Sequence, residues 1–162
     1  MTRDEVVAAR TRAWSAEQRR TLAELVADLR PSPHHLGDAL DWLEDIGARD
    51  GVHPASVLAA PALQAARATR GAPPDRWKRW KAALRRLRYP RLAAREQAFA
   101  AAVKALDLGR RVAIAPPADF EGGTVTITIQ ASTPAELAAA LEGLERCRCD
   151  GDLAWLFALV DE

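Results

Sequence analysis

The chain has 162 residues, 49% of them apolar, which is enough for one full hydrophobic core or two small ones. No apolar run approaches the roughly 20 residues of a membrane span, and the charged segment Thr2–Glu5 is unlike the start of an export signal, so we expect a cytoplasmic protein without a membrane partner. Two cysteines, Cys147 and Cys149, are too few and too close together for a disulfide framework.

The small net charge of +1 conceals a strong segregation of charge along the chain. Residues 1–74 carry 9 Lys/Arg against 10 Asp/Glu, residues 75–111 carry 12 against 3, and residues 112–162 carry 2 against 9. A basic segment of this kind can attract an anionic polymer, or it can pair with another part of the same protein.

Helix signals dominate the first part of the chain. Capping boxes that begin at Thr2 and Ser15 predict two helices. A third helix is predicted to begin at Pro33 and to end at Gly51, because apolar residues recur at helical spacing between them. We therefore predict a helical N-terminal region over residues 1–70.

A linker is predicted at residues 71–74, because Gly71-Ala72-Pro73-Pro74 holds three structure-breaking residues and coincides with the change in charge. After it, Asp75 can cap a helix that runs to about Tyr89 and is broken or kinked by Pro90. We assign residues 75–162 to a second domain, which consists of this basic helix and a dimerisation unit.

The basic helix and the start of the next one carry nine cations with no acidic residue among them. These are Arg76, Lys78, Arg79, Lys81, Arg85, Arg86, Arg88, Arg91 and Arg95. Such a helix can contact the phosphates of DNA or RNA without reading bases. It can equally be a solvated face that pairs with the acidic C-terminal segment, or a surface for an acidic protein or lipid.

The strand signals lie between two helical patterns. Residues 111–114 and 124–130 alternate apolar and polar side chains around a Pro/Gly loop, which is typical of a hairpin with one buried face. Thr133-Pro134-Ala135-Glu136 then begins a Leu-bearing helix, and a last apolar helix begins at residues 150–152. The predicted fold class is α+β: a mainly helical N-terminal region followed by an α-β-β-α unit.

A partner is expected for this unit, because a lone two-stranded hairpin is marginally stable and leaves an open edge. We predict a homodimer in which two hairpins form an intermolecular antiparallel sheet. Its predicted interface comprises Val125, Ile127, Ile129, Leu137, Leu141, Leu144, Trp155 and Leu156. The sequence leaves open whether the last helix packs within or between subunits, and we favour the interface.

Residues 96–144 resemble the C-terminal dimerisation domain of the ParB chromosome-partition family. The matching features are the helix end Val103-Lys104-Ala105-Leu106-x-Leu108-Gly109, the strand Arg111-Val112-Ala113-Ile114, the Gly-Gly turn into Val125-Thr126-Ile127-Thr128-Ile129, and the step Ser132-Thr133-Pro134 into Glu136-Leu137-x-x-x-Leu141-x-x-Leu144. The resemblance implies that two hairpins join across a two-fold axis into a four-stranded sheet, with the Leu-bearing helices packed between subunits.

The resemblance does not extend to the family's other properties. In that family, lysines on the outer face of the sheet can bind DNA, whereas this chain has Thr124, Thr126, Thr128 and Gln130 there. The first half also lacks a counterpart of the family's N-terminal nucleotide-binding module. The chain is therefore interpreted as a shortened relative or an accessory protein rather than a complete partition protein.

Other candidate sites have simpler structural interpretations. The stretch from Ile46-Gly47 to Val57 has helix-turn-helix spacing, but it lacks side chains that read bases and fits an ordinary helical corner. Cys147-x-Cys149 is far in sequence from His34-His35, so a four-ligand zinc site is not expected. Asp119 and Glu121 have no nearby nucleophile or oxyanion hole. We predict no catalytic residue, no metal and no cofactor.

The leading hypothesis from the sequence is a homodimeric, non-enzymatic, DNA-associated protein that resembles a chromosome-partition or nucleoid-organising accessory factor. It would bind the phosphate backbone without strong sequence preference. The alternative is a protein-interaction adaptor that dimerises through its C-terminal unit and recognises a partner, acidic where it meets the basic helix, with its helical N-terminal region.

Overall fold

A computed structural model describes residues 2–161. Over this range the chain forms nine α-helices, a short 3-10 turn and a two-stranded antiparallel sheet, which confirms the predicted α+β class with a helical N-terminal region. The chain divides into two compact units, Met1–Pro90 and Arg91–Glu162, which we call the helical unit and the C-terminal unit.

The helical unit contains six helices. They are α1 (Arg3–Arg10), α2 (Ala16–Leu29), α3 (Pro33–Asp50), α4 (Pro54–Val57), α5 (Pro61–Arg67) and α6 (Pro73–Arg88). Both predicted capping boxes form, since the side chains of Thr2 and Ser15 accept the N–H groups of Glu5 and Gln18. Gly51 ends α3 in the left-handed region at φ 67°, a conformation that costs glycine little.

The core of the helical unit is built mainly from leucines and the two tryptophans of α6. Trp77 and Trp80 stack with ring centroids 5.1 Å apart, and Leu84 on the same helix is fully buried. All three belong to one cluster with the buried side chains of α2 and α3. Each fully buried large apolar side chain contributes about 1.5–3 kcal/mol, so α6 is held firmly in this unit.

The boundary between the units therefore differs from the predicted linker at residues 71–74. The division lies at Pro90 and Arg91, and Pro73 is already the first residue of α6. The physical reason is that the apolar stripe of the basic helix packs into the core that the preceding helices form. The basic helix belongs to the helical unit and not to the C-terminal unit.

The C-terminal unit contains the hairpin and the remaining helices. They are α7 (Pro90–Ala105), β1 (Val112–Ala115), β2 (Thr126–Ile129), α8 (Pro134–Cys149) and α9 (Asp152–Asp161), with the 3-10 turn at Ala118–Phe120 between the strands. The strands pair with Val112 opposite Ile129 and Ile114 opposite Ile127. This register places the four branched side chains on one face of the sheet, as the alternation predicts.

A small core holds the C-terminal unit together. Phe99, Phe120 and Leu156 are buried in one cluster, and the two phenylalanine rings meet edge to face with centroids 5.8 Å apart. Glu136 ties the hairpin to α8, because it accepts the Ser132 N–H at 2.8 Å and a hydrogen bond from Arg111 at 2.7 Å. These contacts, the Ser132 N–H first, lower the pKa of Glu136.

Candidate interaction surfaces

Exposed apolar side chains are concentrated on the C-terminal unit. Seven large apolar side chains of residues 2–161 are exposed, and five of them lie in this unit: Ile127, Leu137, Leu141, Trp155 and Phe157. They come from β2, α8 and α9. This number of exposed large apolar side chains on one small unit is typical of a protein that interacts through that unit.

The predicted interface residues fall into three groups. Ile127, Leu137, Leu141 and Trp155 are exposed, and Val125, Ile129 and Leu144 are half-buried. The prediction is wrong for Leu156, because this side chain is completely buried in the core of its own unit. The last helix therefore contributes one residue to the core of its unit and leaves others outside.

An open groove on the C-terminal unit is lined by two of these exposed side chains, Ile127 and Leu141. It has a volume of about 1140 Å³, and its walls include Ile127, Leu141, Leu144 and Leu153. Charged side chains of both signs also line it, among them Glu142, Glu145, Arg146 and Arg148. Arg148 donates to Glu145 at 2.6 Å, and this hydrogen bond lowers the pKa of the carboxyl group. The lining of the groove thus combines apolar side chains with charges of both signs.

The outer edge of β2 is open. Gln130 donates its N–H to the Arg111 carbonyl at 2.8 Å, so the alternation of an antiparallel ladder directs the backbone groups of Thr128 toward β1. The backbone N–H and C=O groups of Ile127 and Ile129 then point away from β1. In the described part of the chain β2 has no second strand partner, so this edge can pair with another strand.

The first cation of the predicted basic surface is engaged by the helical unit itself. Arg76 donates to both carboxyl oxygens of Asp28 at 2.8 and 2.9 Å and to the Arg67 carbonyl at 2.6 Å. Asp28 also accepts a hydrogen bond from the Arg67 side chain at 3.0 Å. These contacts, that of Arg76 first, lower the pKa of Asp28. A bidentate pair of this kind leaves Arg76 poorly placed to bind a phosphate.

Two further cations pair with carboxylates of α3. Lys81 lies 2.8 Å from Asp38 and Arg88 lies 2.6 Å from Asp45. Both cations also lie near the Trp42 ring, 5.0 and 5.5 Å from its centroid, within the range of a cation–π contact. The hydrogen bond from Lys81 is the main cause that lowers the pKa of Asp38.

Two more cations bind backbone carbonyl groups. Arg79 donates to the Arg70 carbonyl at 2.7 Å. Arg95 donates to the carbonyls of Leu159 and Val160 at 3.2 and 3.0 Å, which lie in the last turn of α9. Cations are favoured at a helix C-terminus because its carbonyls carry partial negative charge. We interpret Arg95 as a structural residue of the C-terminal unit.

The nine cations thus do not form one continuous free surface. Lys78, Arg86 and Arg91 are exposed and have no ion pair or hydrogen bond to any residue of 2–161. Arg85 is half-buried and has a partner. The carboxylates that pair with Arg76, Lys81 and Arg88 come from α2 and α3.

A second groove lies on the helical unit beside α6. Trp42, Trp77, Pro31 and Pro74 supply its apolar lining, and the cations around it are Arg30, Lys78, Lys81 and Arg85. Its volume is about 530 Å³. Trp77 also has a buried indole N–H that finds no acceptor in the described residues. Sequence reasoning missed this groove, although the Trp-Lys pattern of residues 77–81 placed aromatic and basic side chains on one helix.

The weaker sequence candidates are not brought together into a site. Within residues 2–161, no cluster of three or more His, Cys, Asp and Glu side chains could hold a metal ion. Cys147 is buried and Cys149 is exposed, and His34 lies near Asp38 on the surface of α3 at 3.9 Å. Asp119 lies in the loop between the strands with a positive φ of 51°.

The helix-turn-helix spacing corresponds to a corner of the helical core. The would-be recognition helix α4 is four residues long, which is too short to lie along a major groove. Gly47 is small because α3 passes close to the segment before α4: a Cβ atom there would lie 2.7 Å from the Val52 carbonyl oxygen. His53 caps α4 by accepting the Ala55 N–H at 3.1 Å.

Comparison of the chain with protein-family models, curated proteins and solved structures found no match. The resemblance of residues 96–144 to the ParB dimerisation domain therefore stays a prediction. Of the helices in residues 2–161, none has both the length and the apolar character that crossing a bilayer requires.

Proposed function

We propose that this protein is a homodimeric, non-enzymatic interaction adaptor, in which the C-terminal unit joins two copies and the helical unit recognises a partner. The observation that carries the proposal is the concentration of exposed apolar side chains on the C-terminal unit beside the open edge of β2. Apolar side chains exposed to water gain free energy of stabilisation when another molecule covers them. The backbone groups of the open strand edge can at the same time pair with a strand of that molecule.

A second copy of the chain is the occupant that fits this surface. Two β2 edges can pair antiparallel about a two-fold axis, because each presents the same outward backbone groups at Ile127 and Ile129. The pairing extends a two-stranded sheet, marginal in isolation, into a four-stranded one. The mixed charges beside the groove, such as Glu142 and Arg146, also allow opposite charges to meet when the same surface is used twice.

The charge of the helical unit supports its role in recognition. Residues 1–90 carry 16 Lys/Arg against 11 Asp/Glu, whereas residues 91–162 carry 7 against 11. Several cations of the basic helix already bind Asp28, Asp38 and Asp45. We therefore rank an acidic protein partner above a long polyanion, because a polyanion gains affinity from many free cations in a row.

The dimer is tested by the mass of the protein in solution. Light scattering coupled to chromatography should give twice the chain mass of 17.6 kDa. Leu141→Glu, at a side chain that is 51% exposed in the single chain, should reduce the mass to one chain. The matched control is Val52→Glu, at a 46% exposed residue of the helical unit, and should remain dimeric. A wild-type sample that stays at one chain mass at micromolar concentration contradicts the proposal.

Binding to the phosphate backbone of nucleic acid is the second candidate, and one observation favours it. Lys78 and Arg86 on α6 are exposed and without a partner among the described residues. A dimer would offer four such cations, so a fourfold rise in salt should weaken binding about 100-fold. Gel shifts at two ionic strengths test this. Lys78→Glu with Arg86→Glu should abolish the shift, and Arg12→Glu with Arg19→Glu should retain it. The absence of a shift at low salt excludes this candidate.

A further inference from the structure

The groove beside α6 on the helical unit is lined by indole rings and surrounded by cations. Trp42 and Trp77 contribute its aromatic walls, and Lys78, Lys81 and Arg85 lie along α6 next to them. Its volume of about 530 Å³ lies within the range of about 300–1,000 Å³ that is usual for ligand-binding pockets. The lining residues lie on α3, α6 and the turn between α2 and α3, so they belong to one folded unit.

We propose that this groove binds a short acidic peptide segment of a partner protein, one apolar side chain of which packs against the tryptophan and proline residues of its lining. The inference rests on the proposed adaptor role of the helical unit, but it does not require dimerisation. The partner's carboxylates would meet the cations at the rim, and its apolar side chain would cover the tryptophan and proline surfaces.

The charge balance at the groove favours an anionic ligand. Lys81 is already paired with Asp38, but Lys78 has no partner in residues 2–161 and is exposed. Arg30 also lines the groove and is exposed. Among residues 2–161, no Asp or Glu belongs to the lining. A carboxylate that enters the groove therefore meets Lys78 and Arg30, which have no carboxylate partner in residues 2–161.

The arrangement of the rings favours an apolar side chain over a nucleobase. Trp77 stacks on Trp80 with an interplanar angle of 20° and is only 6% exposed, so it offers little ring face. Trp42 is approached by Lys81 and Arg88, at 5.0 and 5.5 Å from its centroid. Single-stranded nucleic acid is held by bases that stack on open aromatic faces. The groove instead offers partly covered indole rings and the exposed Pro74, which suit an aliphatic or phenyl side chain.

The test measures fluorescence anisotropy of labelled peptides with the full chain. The probe is a short peptide in which glutamates flank a central Phe-Leu pair, and the comparison peptide has Ser-Ser in place of that pair. We expect saturable micromolar binding of the first peptide and at least tenfold weaker binding of the second. No saturable binding up to millimolar concentration, or equal binding of both peptides, overturns the proposal.

Two charge reversals on the same helix locate the binding site. Lys78→Glu changes a groove residue. Arg86→Glu reverses the charge of an exposed residue of α6 that has no partner in residues 2–161 and does not line this groove. Lys78→Glu should weaken peptide binding about tenfold, the factor that corresponds to about 1.4 kcal/mol for one charge-assisted contact. Arg86→Glu should change binding less than twofold. Equal losses of peptide affinity in both variants would show that the peptide does not bind in the groove, and would indicate binding to a diffuse basic surface.

Competing ligands separate the peptide from other anions. A single-stranded oligonucleotide or vesicles containing phosphatidylserine should displace the Phe-Leu peptide only weakly. If either of them displaces the peptide completely at an equal concentration of charge, the proposal is overturned in favour of that ligand. The monomeric variant Leu141→Glu should bind the peptide as tightly as the wild type. This comparison tests peptide binding independently of dimerisation, which is measured separately by light scattering.

Discussion

Lys81 and Asp38 join α6 to α3 through an ion pair of 2.8 Å. Seven residues further along both helices, Arg88 and Asp45 form an equivalent pair at 2.6 Å. Seven residues correspond to about two helical turns, so both pairs lie on the same side of the contact between the helices. Trp42 lies near both cations. The basic helix is thus fixed by its own charges as well as by its buried tryptophans.

The substitution Asp28→Asn should destabilise the helical unit. Asp28 accepts hydrogen bonds from Arg76 and Arg67, and its loss leaves the half-buried Arg76 guanidinium with a weaker acceptor. We expect a decrease of about 1–3 kcal/mol in the free energy of unfolding, measured by urea denaturation. Asp50→Asn is the control, because its ion pair with Arg49 is a surface pair of adjacent residues and its loss should change the free energy of unfolding much less. Equal effects of the two substitutions would contradict this assignment.

Acid should weaken the same contacts. The pKa values of Asp28 and Asp38 are lower in the folded chain than the ordinary value of 3.8, because Arg76 and Lys81 donate hydrogen bonds to them. Their contribution to stability is therefore fully present above that value and is lost as the pH falls through the depressed folded values. Urea denaturation at a series of pH values should show a decline that begins below about pH 5. The double variant Asp28→Asn/Asp38→Asn should show a shallower decline, and an identical slope would exclude these two groups.

Two glycines of α3 should respond oppositely to substitution by alanine. A Cβ atom at Gly47 would lie 2.7 Å from the Val52 carbonyl oxygen, whereas nothing lies within 4 Å of one at Gly37. Gly47→Ala should therefore destabilise the protein by about 1–3 kcal/mol. Gly37→Ala should stabilise it by about 0.5–1 kcal/mol, because alanine loses less backbone entropy in a helix. Thermal unfolding of the two variants checks both signs, and a stabilising Gly47→Ala would refute the close approach of α3 to Val52.

Local signals explain why most of the fold was predictable from the sequence. The capping boxes at Thr2 and Ser15 and the end of α3 at Gly51 depend on a few neighbouring residues, so the sequence contains all that determines them. The alternation in Val112–Ala115 and Thr126–Ile129 likewise specified the strands and their shared face. The domain boundary was not predictable in this way, since the apolar stripe of α6 does not indicate which core it joins.

Sequence spacing predicts some contacts of the basic helix α6 but not others. Asp38 and Asp45 are seven residues apart, as are Lys81 and Arg88, and this matched spacing was a signal that the two helices could pair. The pairing of α6 with Asp28 on α2 has no such signal. It depends on how three helices pack around the two tryptophans, which no local pattern in the sequence records. The groove beside Trp42 depends on the same packing and was missed for the same reason.

Truncation of a core leucine and of a surface leucine in the C-terminal unit should affect stability in different ways. Leu156 is completely buried in the C-terminal unit, whereas Leu141 is 51% exposed. Leu156→Ala should decrease the free energy of unfolding by about 2–5 kcal/mol, because it leaves a cavity in a small core. Leu141→Ala should destabilise the protein by a smaller amount that depends on protein concentration, because it acts through the association of two chains. Thermal unfolding over a wide range of protein concentrations separates the two effects. Should Leu141→Ala act equally at every concentration, its side chain would stabilise the single chain rather than the dimer.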